Sequence, residues 1–236
     1  MNKKLTLILL VLIFSCNSDD SDISPNNNAP VGKLIKTETN FLTLEFSSVI
    51  TYSYDSLGRI LKISIVDSNS NGNSTTSTNY LYNSDGQIWK ENISNGTSRE
   101  YQYTNGLISS STSSSSNGYF EYVQNNDSQL TTIRYYEEDN LISETDLIYD
   151  SENNVINTII GSTVSAYDYD TMNSWRFLVY ENQELNKIFL QGPNNLTSRN
   201  GFITYTYTYN SLGYPKTSKE YHNGTLVGET TYTYQE

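Results

Sequence analysis

A short strand of the form aromatic-x-aromatic, followed by a tight turn, recurs along this chain and constrains its fold more than any other feature. Segments 51–59 (TYSYDSLGR) and 206–214 (TYTYNSLGY) are nearly identical, and degenerate copies bring the total to about seven units. A repeat at this period predicts one supersecondary unit used many times. The repeat therefore indicates a scaffold, and by itself it identifies neither a ligand nor a reaction.

The alternation within each unit predicts strands. Side chains of a strand point to opposite faces in turn, so the tyrosines of 204–209 (TYTYTY) share one face and the threonines share the other. The same spacing recurs at Tyr52/Tyr54, Tyr80/Tyr82, Tyr101/Tyr103, Phe120/Tyr122, Tyr167/Tyr169 and Tyr232/Tyr234. Aromatic and β-branched residues favour a half-buried sheet, and no segment has a helical period. The sequence predicts an all-β protein.

Turn-forming residues follow these aromatic strands where hairpins need them. They lie at 55–58, 83–86, 104–106, 124–127, 150–154, 181–182 and 210–213. Glycine and asparagine supply the positive φ angles of tight hairpins. We expect a curled antiparallel sheet or incomplete barrel of about 14 strands, because many-stranded twisted sheets tend to curl. A two-sheet β-sandwich is the alternative.

The start of the chain has the pattern of an exported protein. Lys3 and Lys4 precede an apolar run over 5–14, about half the length of the roughly 20 residues that cross a bilayer. The run ends in Leu-Ile-Phe-Ser-Cys at 12–16, which resembles the lipobox of bacterial lipoproteins. Cys16 is the only cysteine of the chain and has no intramolecular partner for a disulfide. The resemblance implies that Cys16 is lipidated after cleavage of a signal peptide over residues 1–15.

Residues 16–30 are polar, rich in asparagine and aspartate, and interrupted by proline, so they are expected to form a flexible tether. The acidic stretch 18–22 resembles export signals for surface display, and an ordinary solvated linker is the alternative. The repeat domain then spans 31–236. The predicted location is the bacterial cell envelope, with a lipid anchor in the outer membrane and the face left undecided. The net charge of −12 argues against nucleic acid as a partner.

The pattern Tyr-x-Tyr-Asp-x-x-Gly-Arg-Ile at 52–60 resembles the YD repeat of Rhs-like proteins. With its degenerate copies, the chain is still more similar to small secreted lipoproteins that carry YD-like repeats and have no assigned function. In the large Rhs-type proteins such repeats wind into a sheet that encloses another polypeptide. The resemblance implies a related but smaller sheet, since about seven units are too few for a shell of that size.

Residues for catalysis are scarce. His222 is the only histidine and lies beside a turn, so neither a Cys/His pair nor a zinc site can be assembled. Two acids would suffice for a glycosidase, and the densest candidates are 137–139 (Glu-Glu-Asp) and Asp168 with Asp170. Neither these aspartates nor those at 19–22 have the loop of a calcium site. We expect no catalytic residue, no cofactor and no metal.

Two kinds of residue remain as candidate sites. Trp89 and Trp175 are candidates for stacking on a ligand, although both lie in predicted strands where core packing also explains them. Ser56 and Thr171 lie in Asp-Ser/Thr-apolar tripeptides that resemble O-glycosylation sites of some Gram-negative bacteria. The expected function is a non-enzymatic envelope lipoprotein that binds a glycan or an envelope protein or serves as a structural component. A carbohydrate-active enzyme with paired carboxylates is the alternative.

Overall fold

The sheet closes on itself. The structure, a computed structural model, describes residues 32–42, 45–190 and 192–236. Within these ranges the strands run as β1 Leu34–Phe41, β2 Phe46–Tyr54, β3 Ile60–Asn69, β4 Gly72–Tyr82, β5 Ile88–Ile93, β6 Ser98–Thr104, β7 Leu107–Ser113, β8 Gly118–Gln124, β9 Leu130–Glu137, β10 Asn140–Tyr149, β11 Val155–Ile160, β12 Thr163–Asn173, β13 Asn194–Arg199, β14 Ile203–Tyr209, β15 Pro215–His222 and β16 Thr225–Tyr234. Each strand pairs antiparallel with the next, and β1 also pairs with β16.

The all-β prediction is confirmed, and two details of it are corrected. The described residues form sixteen strands in a closed barrel, where the sequence predicted about 14 in a curled or incomplete one. A two-sheet sandwich is not formed. The sequence-based count of strands was two short. The pairing of the first strand with the last adds an eighth pair of strands, which the degenerate repeat does not reveal.

One turn design is repeated at one end of the barrel, which we call the Asx end. In each of five turns, the side-chain oxygen of an aspartate or asparagine accepts hydrogen bonds from the backbone N–H groups two and four residues later. The fourth residue has positive φ, and the strand register shifts at the turn. The five turns begin at Asp55, Asn83, Asn125, Asp150 and Asn210. The predicted turns at these positions are confirmed.

The repeated tyrosine has a specific partner. The Tyr82 hydroxyl donates to the backbone carbonyl of Ile60, at the start of the preceding strand, over 2.6 Å. A buried tyrosine hydroxyl needs such a partner, and here it ties the two strands of a hairpin together at the Asx end. The equivalent bonds are Tyr54 to Leu34, Tyr103 to Ile88, Tyr149 to Leu130, Tyr169 to Val155, Tyr207 to Leu196 and Tyr234 to Pro215, with Gln124 to Ile108 replacing the tyrosine.

The inner and outer faces of the barrel wall differ in chemistry. The inner face holds the buried tyrosines and the apolar residues that start the odd-numbered strands. The outer face carries ion pairs between neighbouring strands. These are Lys90 with Glu100, Lys219 with Glu229, and Arg134 with both Glu121 and Glu144. The alternation predicted from the sequence thus places the repeated tyrosines inside and these ion pairs outside.

Two short helices interrupt the strands, contrary to the expectation of none. They are α1 Trp175–Val179 and α2 Leu185–Ile188, both in the connection between β12 and β13. Across the described part of the chain, no helix has the length and apolar character needed to cross a membrane. Trp175 therefore lies in a helix, whereas the sequence placed it in a strand. Ser174 breaks the alternation there, because its side chain caps α1 by accepting from the Phe177 N–H.

Candidate binding chamber inside the barrel

The connection 174–193, which we call the plug, folds into the barrel at the Asx end. Leu185 is fully buried, and Leu178 and Val179 are nearly so. The buried Asn186 side chain joins the two helices by donating to the carbonyls of Phe177 and Tyr180, at 3.2 Å and 2.7 Å. The plug is thus a compact insert of apolar residues, and hydrogen bonds from one asparagine hold its two helices together.

The plug contacts the wall on several sides. The Tyr180 hydroxyl bonds to that of Tyr80 in β4 over 2.8 Å, and the Lys187 ammonium donates to the Ser128 carbonyl over 2.7 Å. Glu181 pairs with Lys33 at 2.7 Å, just before β1. Since these partners belong to separated parts of the wall, the plug crosses the barrel and closes its Asx end.

The plug returns to the wall through a close contact. A Cβ atom on Gly192 would lie 2.5 Å from the Asn154 side-chain oxygen, so only glycine fits here. The Asn154 amide donates to the side chain of Asn194 over 2.9 Å, and the Asn194 N–H donates back over 3.2 Å. Asn154 is almost fully buried. These contacts fix the exit of the plug.

A chamber of about 490 Å³ lies between the plug and the opposite end of the barrel. Its size falls within the range of small-molecule sites. The plug forms its floor, and one side of its wall is a row of tyrosines on β12, β14 and β16. The residues that define it are Trp175, Arg176, Tyr167, Tyr169, Tyr205, Tyr207, Tyr232, Thr37, Thr39, Ile50 and Ser218, with Phe41, Arg199, Glu220 and Gly228 towards the far end.

We call Phe41, Arg199, Glu220 and Gly228 the mouth residues. Phe41 and Glu220 both pair with Gly228 in the sheet, and Arg199 is the last residue of β13. Among the described residues, the hairpins beyond them are short connections such as 223–224, with no inserted helix or strand. The chamber therefore has a plugged end and a mouth.

The chamber contains cationic groups without matching anions. Arg176 and Arg199 both line it, and among its described lining residues Glu220 is the only carboxylate. Glu220 already bonds to the His222 ring over 2.7 Å. The Nε atom of Arg199 is buried and has no hydrogen-bond partner within the described chain. A site that is cationic inside an acidic protein is suited to an anion.

The chamber tyrosines are neutral hydrogen-bonding groups. Burial raises the pKa of Tyr232, while the Ser218 hydroxyl at 3.0 Å and the charge of Arg176 oppose that rise. Burial and Glu220 raise the pKa of Tyr205, and both Arg176 and Arg199 act against them. Because the net pKa shift is upward, these hydroxyls stay protonated near neutral pH and act as donors or acceptors, not as phenolate nucleophiles.

A second polar cluster lies in the wall on strands β5 to β8. Glu91 is only 5% exposed, and burial raises its pKa although the charge of Arg99 opposes this. The Ser111 and Tyr122 hydroxyls bond at 2.7 Å. None of these residues lines the chamber. The cluster packs the wall away from the chamber.

One candidate tryptophan lies outside the barrel and the other inside it. Trp89 is on the outer face of β5, 37% exposed, with the Lys90 ammonium 5.6 Å from its ring centre. Trp175 lies on the chamber floor, with its ring 5.3 Å from that of Tyr232. Only Trp175 is placed to contact a ligand in the chamber.

The other predicted sites do not come together. Cys16 and the aspartates at 19–22 lie outside the described residues. Ser56 and Thr171 are exposed and lie near the Asx end. The acids at 137–139 are in a hairpin at the far end. Within the described ranges, no group of three or more metal-ligating side chains is present.

The paired aspartates Asp168 and Asp170 separate as well. Asp168 is exposed, while Asp170 accepts hydrogen bonds from the Met172 N–H, Asn195 and the Tyr209 hydroxyl. Asp170 thus has a local structural role beside the plug. Sequence reasoning missed Arg176, Arg199 and Glu220, whose only signal is their place in or beside strands that bear inward tyrosines.

Comparison with known proteins supports the fold alone. No protein-family model and no curated protein matches the chain. A porin-like protein from Bacteroides uniformis is similar in structure, with a TM-score of 0.61 at 17% identity over 87% of this chain and 99% of that one. A porin-like protein from Bacteroides vulgatus gives 0.44 at 12% identity over 86% and 98%.

A TcdB2-TccC3-Cdc42 structure is a weaker match. It has a TM-score of 0.30 at 15% identity over 78% of this chain, which spans only 8% of that one. That likeness is too weak to support an argument. The lipoprotein pattern and the YD-like repeat therefore remain predictions, and the barrel fold is what the first of these neighbours has in common with this chain.

Proposed function

We propose that this chain is a non-enzymatic protein of the bacterial cell envelope, anchored by lipid at Cys16, whose barrel stands in water and binds a small ligand in the chamber. The observation that carries the proposal is a closed barrel with an aromatic, plugged interior and a charged exterior. The plug leaves a space suited to a small molecule.

The outer face favours a barrel surrounded by water. Barrels that span membranes have an apolar outer band about 25 Å tall and a polar interior. Here the charged side chains of Lys90, Glu100 and Arg134 are on the outer face, and tyrosines are within. Charged side chains at such positions would be costly in lipid. Attachment to the membrane then has to come from elsewhere.

The lipid anchor supplies that attachment in our proposal. The leader-like run over 5–14, Cys16 and the polar segment up to residue 30 have the order expected for a tethered lipoprotein. The Gly32 N–H donates to the Gln235 carbonyl over 2.8 Å at the Asx end. The tether would therefore leave from the plugged end, and the mouth would face away from the membrane.

The carbohydrate-active enzyme is the weaker alternative. A glycosidase needs two carboxyl groups in one site, roughly 5–10 Å apart. The described chamber lining offers only Glu220, and its carboxylate already bonds to His222. We therefore expect binding without turnover.

Lipid attachment is tested by Cys16→Ser. We expect this variant to lose palmitate labelling and to move from the membrane fraction to the soluble fraction, because the thiol is the acceptor of the lipid. Ser18→Ala is the matched control and should keep the label. Membrane retention of Cys16→Ser would contradict the anchor.

Chamber binding is tested with residues 31–236, whose barrel is closed by contacts within that range. We expect native mass spectrometry to detect an added small mass after incubation with envelope extract. Gly228→Leu is the control, because its Cβ would point into the mouth at ordinary contact distances from Asn40 and Phe41. Identical spectra for the two proteins would contradict a chamber ligand.

A further inference from the structure

Resting on the proposed binding role of the chamber, we infer that its ligand is an acidic saccharide, a one- or two-ring sugar bearing carboxylate or sulfate. Three features point to this chemistry: unpaired guanidinium groups, aromatic faces and many hydroxyl or amide groups in one enclosed space.

The positive charge is held where a ligand can reach it. Arg176 projects from the floor, and its charge acts on Tyr169, Tyr205, Tyr207 and Tyr232 around the wall. Arg199 lies at the mouth and also acts on Tyr205. Neither forms an ion pair within the described residues. Guanidinium groups bind carboxylate and sulfate-like anions through paired, charge-assisted hydrogen bonds.

The wall suits a ring with hydroxyl groups. Tyrosine presents a flat apolar face together with a polar tip, so it can stack on a sugar ring and bond to its hydroxyls. Tyr205, Tyr207 and Trp175 supply such faces, while Ser218 and Thr39 supply small polar groups. A purely apolar ligand would leave the buried Nε atom of Arg199 without a hydrogen-bond partner, which costs free energy. An inorganic ion would leave the aromatic faces unused.

The charge distribution also disfavours the β15 side of the chamber for the anionic part of the ligand. Glu220 at the mouth bonds to His222, so the anionic part of the ligand is better placed against Arg176 or Arg199 than against the β15 side. A sugar with one or two acidic groups can engage the floor, the mouth or both. Neutral sugars gain the stacking but not the charge-assisted bonds.

Isothermal titration calorimetry on residues 31–236 tests this inference. The probes are digalacturonate, galactose 6-sulfate, neutral galactobiose and glutarate, an anion without a ring. We expect the two acidic sugars to bind at least tenfold more tightly than galactobiose and glutarate. That ratio corresponds to about 1.4 kcal/mol. Their affinity should also fall as salt is added, because the attraction is electrostatic.

The variants Arg176→Gln and Arg199→Gln locate the effect. Each should weaken the acidic sugars about tenfold or more, because one charge-assisted contact is lost. Arg134→Gln is the matched control, since it makes the same change on the outer wall and should leave affinity unchanged. Thermal unfolding confirms that each variant is folded.

The outcomes separate the ligand class from the chamber itself. Equal binding of galactobiose, lost in Gly228→Leu, would overturn the acidic class and leave chamber binding in place. Equal binding of glutarate would overturn the sugar ring. Acidic-sugar binding that persists in Gly228→Leu and both arginine variants would place the site elsewhere and overturn both proposals. If no acidic sugar binds, this inference is overturned. Native mass spectrometry with envelope extract then decides whether the chamber binds any small ligand.

Discussion

The two ends of the barrel are built differently. The Asx end repeats one turn five times, ties its hairpins with tyrosine hydroxyls and is filled by the plug. The far end has turns of several kinds, among them residue pairs with positive φ at 138–139 and 223–224, and its Asn69 and Asn95 side chains accept backbone hydrogen bonds only from the N–H two residues later. One end therefore holds the fold, and the other is free to vary around the mouth.

The largest loss of unfolding free energy is expected for a substitution in the plug. Leu185→Ala empties a fully buried position at the Asx end and should lower the free energy of unfolding by about 2–5 kcal/mol. Phe202→Ala, at a far-end hairpin where the ring is 44% exposed, should lower it by only about 1 kcal/mol. Urea denaturation measures both. Equal losses would mean that the two ends share the stability.

The repeated turn comes next. Asp55 accepts two backbone hydrogen bonds and one from the Arg59 side chain, so Asp55→Ala should cost about 1–2 kcal/mol. Asp55→Asn should cost less, because asparagine already serves this role at Asn83 and Asn210. Asn71→Ala at an exposed far-end turn without positive φ is the control and should be nearly neutral. A larger loss for Asn71→Ala would invalidate the contrast.

The same aspartate gives the Asx end a pH dependence. Burial opposes ionisation of Asp55, but hydrogen bonds and the charge of Arg59 outweigh it and lower its pKa. The carboxylate therefore stabilises the barrel above its unfolded-state pKa of about 3.9, and this stabilisation is lost as pH falls through the lower folded value. Urea midpoints measured from about pH 6 to 3 should fall less steeply in Asp55→Asn. Identical slopes would contradict the assignment.

The smallest effect is expected for a single hydroxyl. Tyr82→Phe removes the bond to the Ile60 carbonyl and should cost about 0.5–1.5 kcal/mol. Tyr221→Phe is the control, because that hydroxyl makes no hydrogen bond within the described residues. Its loss should stay within about 0.5 kcal/mol. Equal losses of unfolding free energy in the two variants would show that the tyrosine-to-carbonyl hydrogen bonds do not stabilise the Asx end specifically.

Much of the barrel wall was predictable because it follows from local rules. Strand alternation gave the inward tyrosines, and the Asx residues gave the turns that begin at Asp55, Asn83 and Asn210. Closure was not predictable, since it depends on the pairing of Thr37 with Tyr232, which are far apart in the sequence. No local pattern specifies that contact.

The chamber was still harder to predict. Trp175 appeared to continue a strand, and the capping of α1 by Ser174 gave only a short-range signal for the plug. Arg176 and Arg199 lie in different elements and meet around Tyr205 only after the barrel has closed. The charge of the chamber is therefore a property of the tertiary structure.

The pairing of the first strand with the last also affects how the chain folds. Until β16 is available, β1 and β15 are open edges with unpaired backbone groups, which favour association with other chains. Contacts that join the two ends of a domain form slowly, because they close the longest loop. A chain shortened by its last strand would lose more than one strand's contacts: it would have two free edges and no enclosed volume.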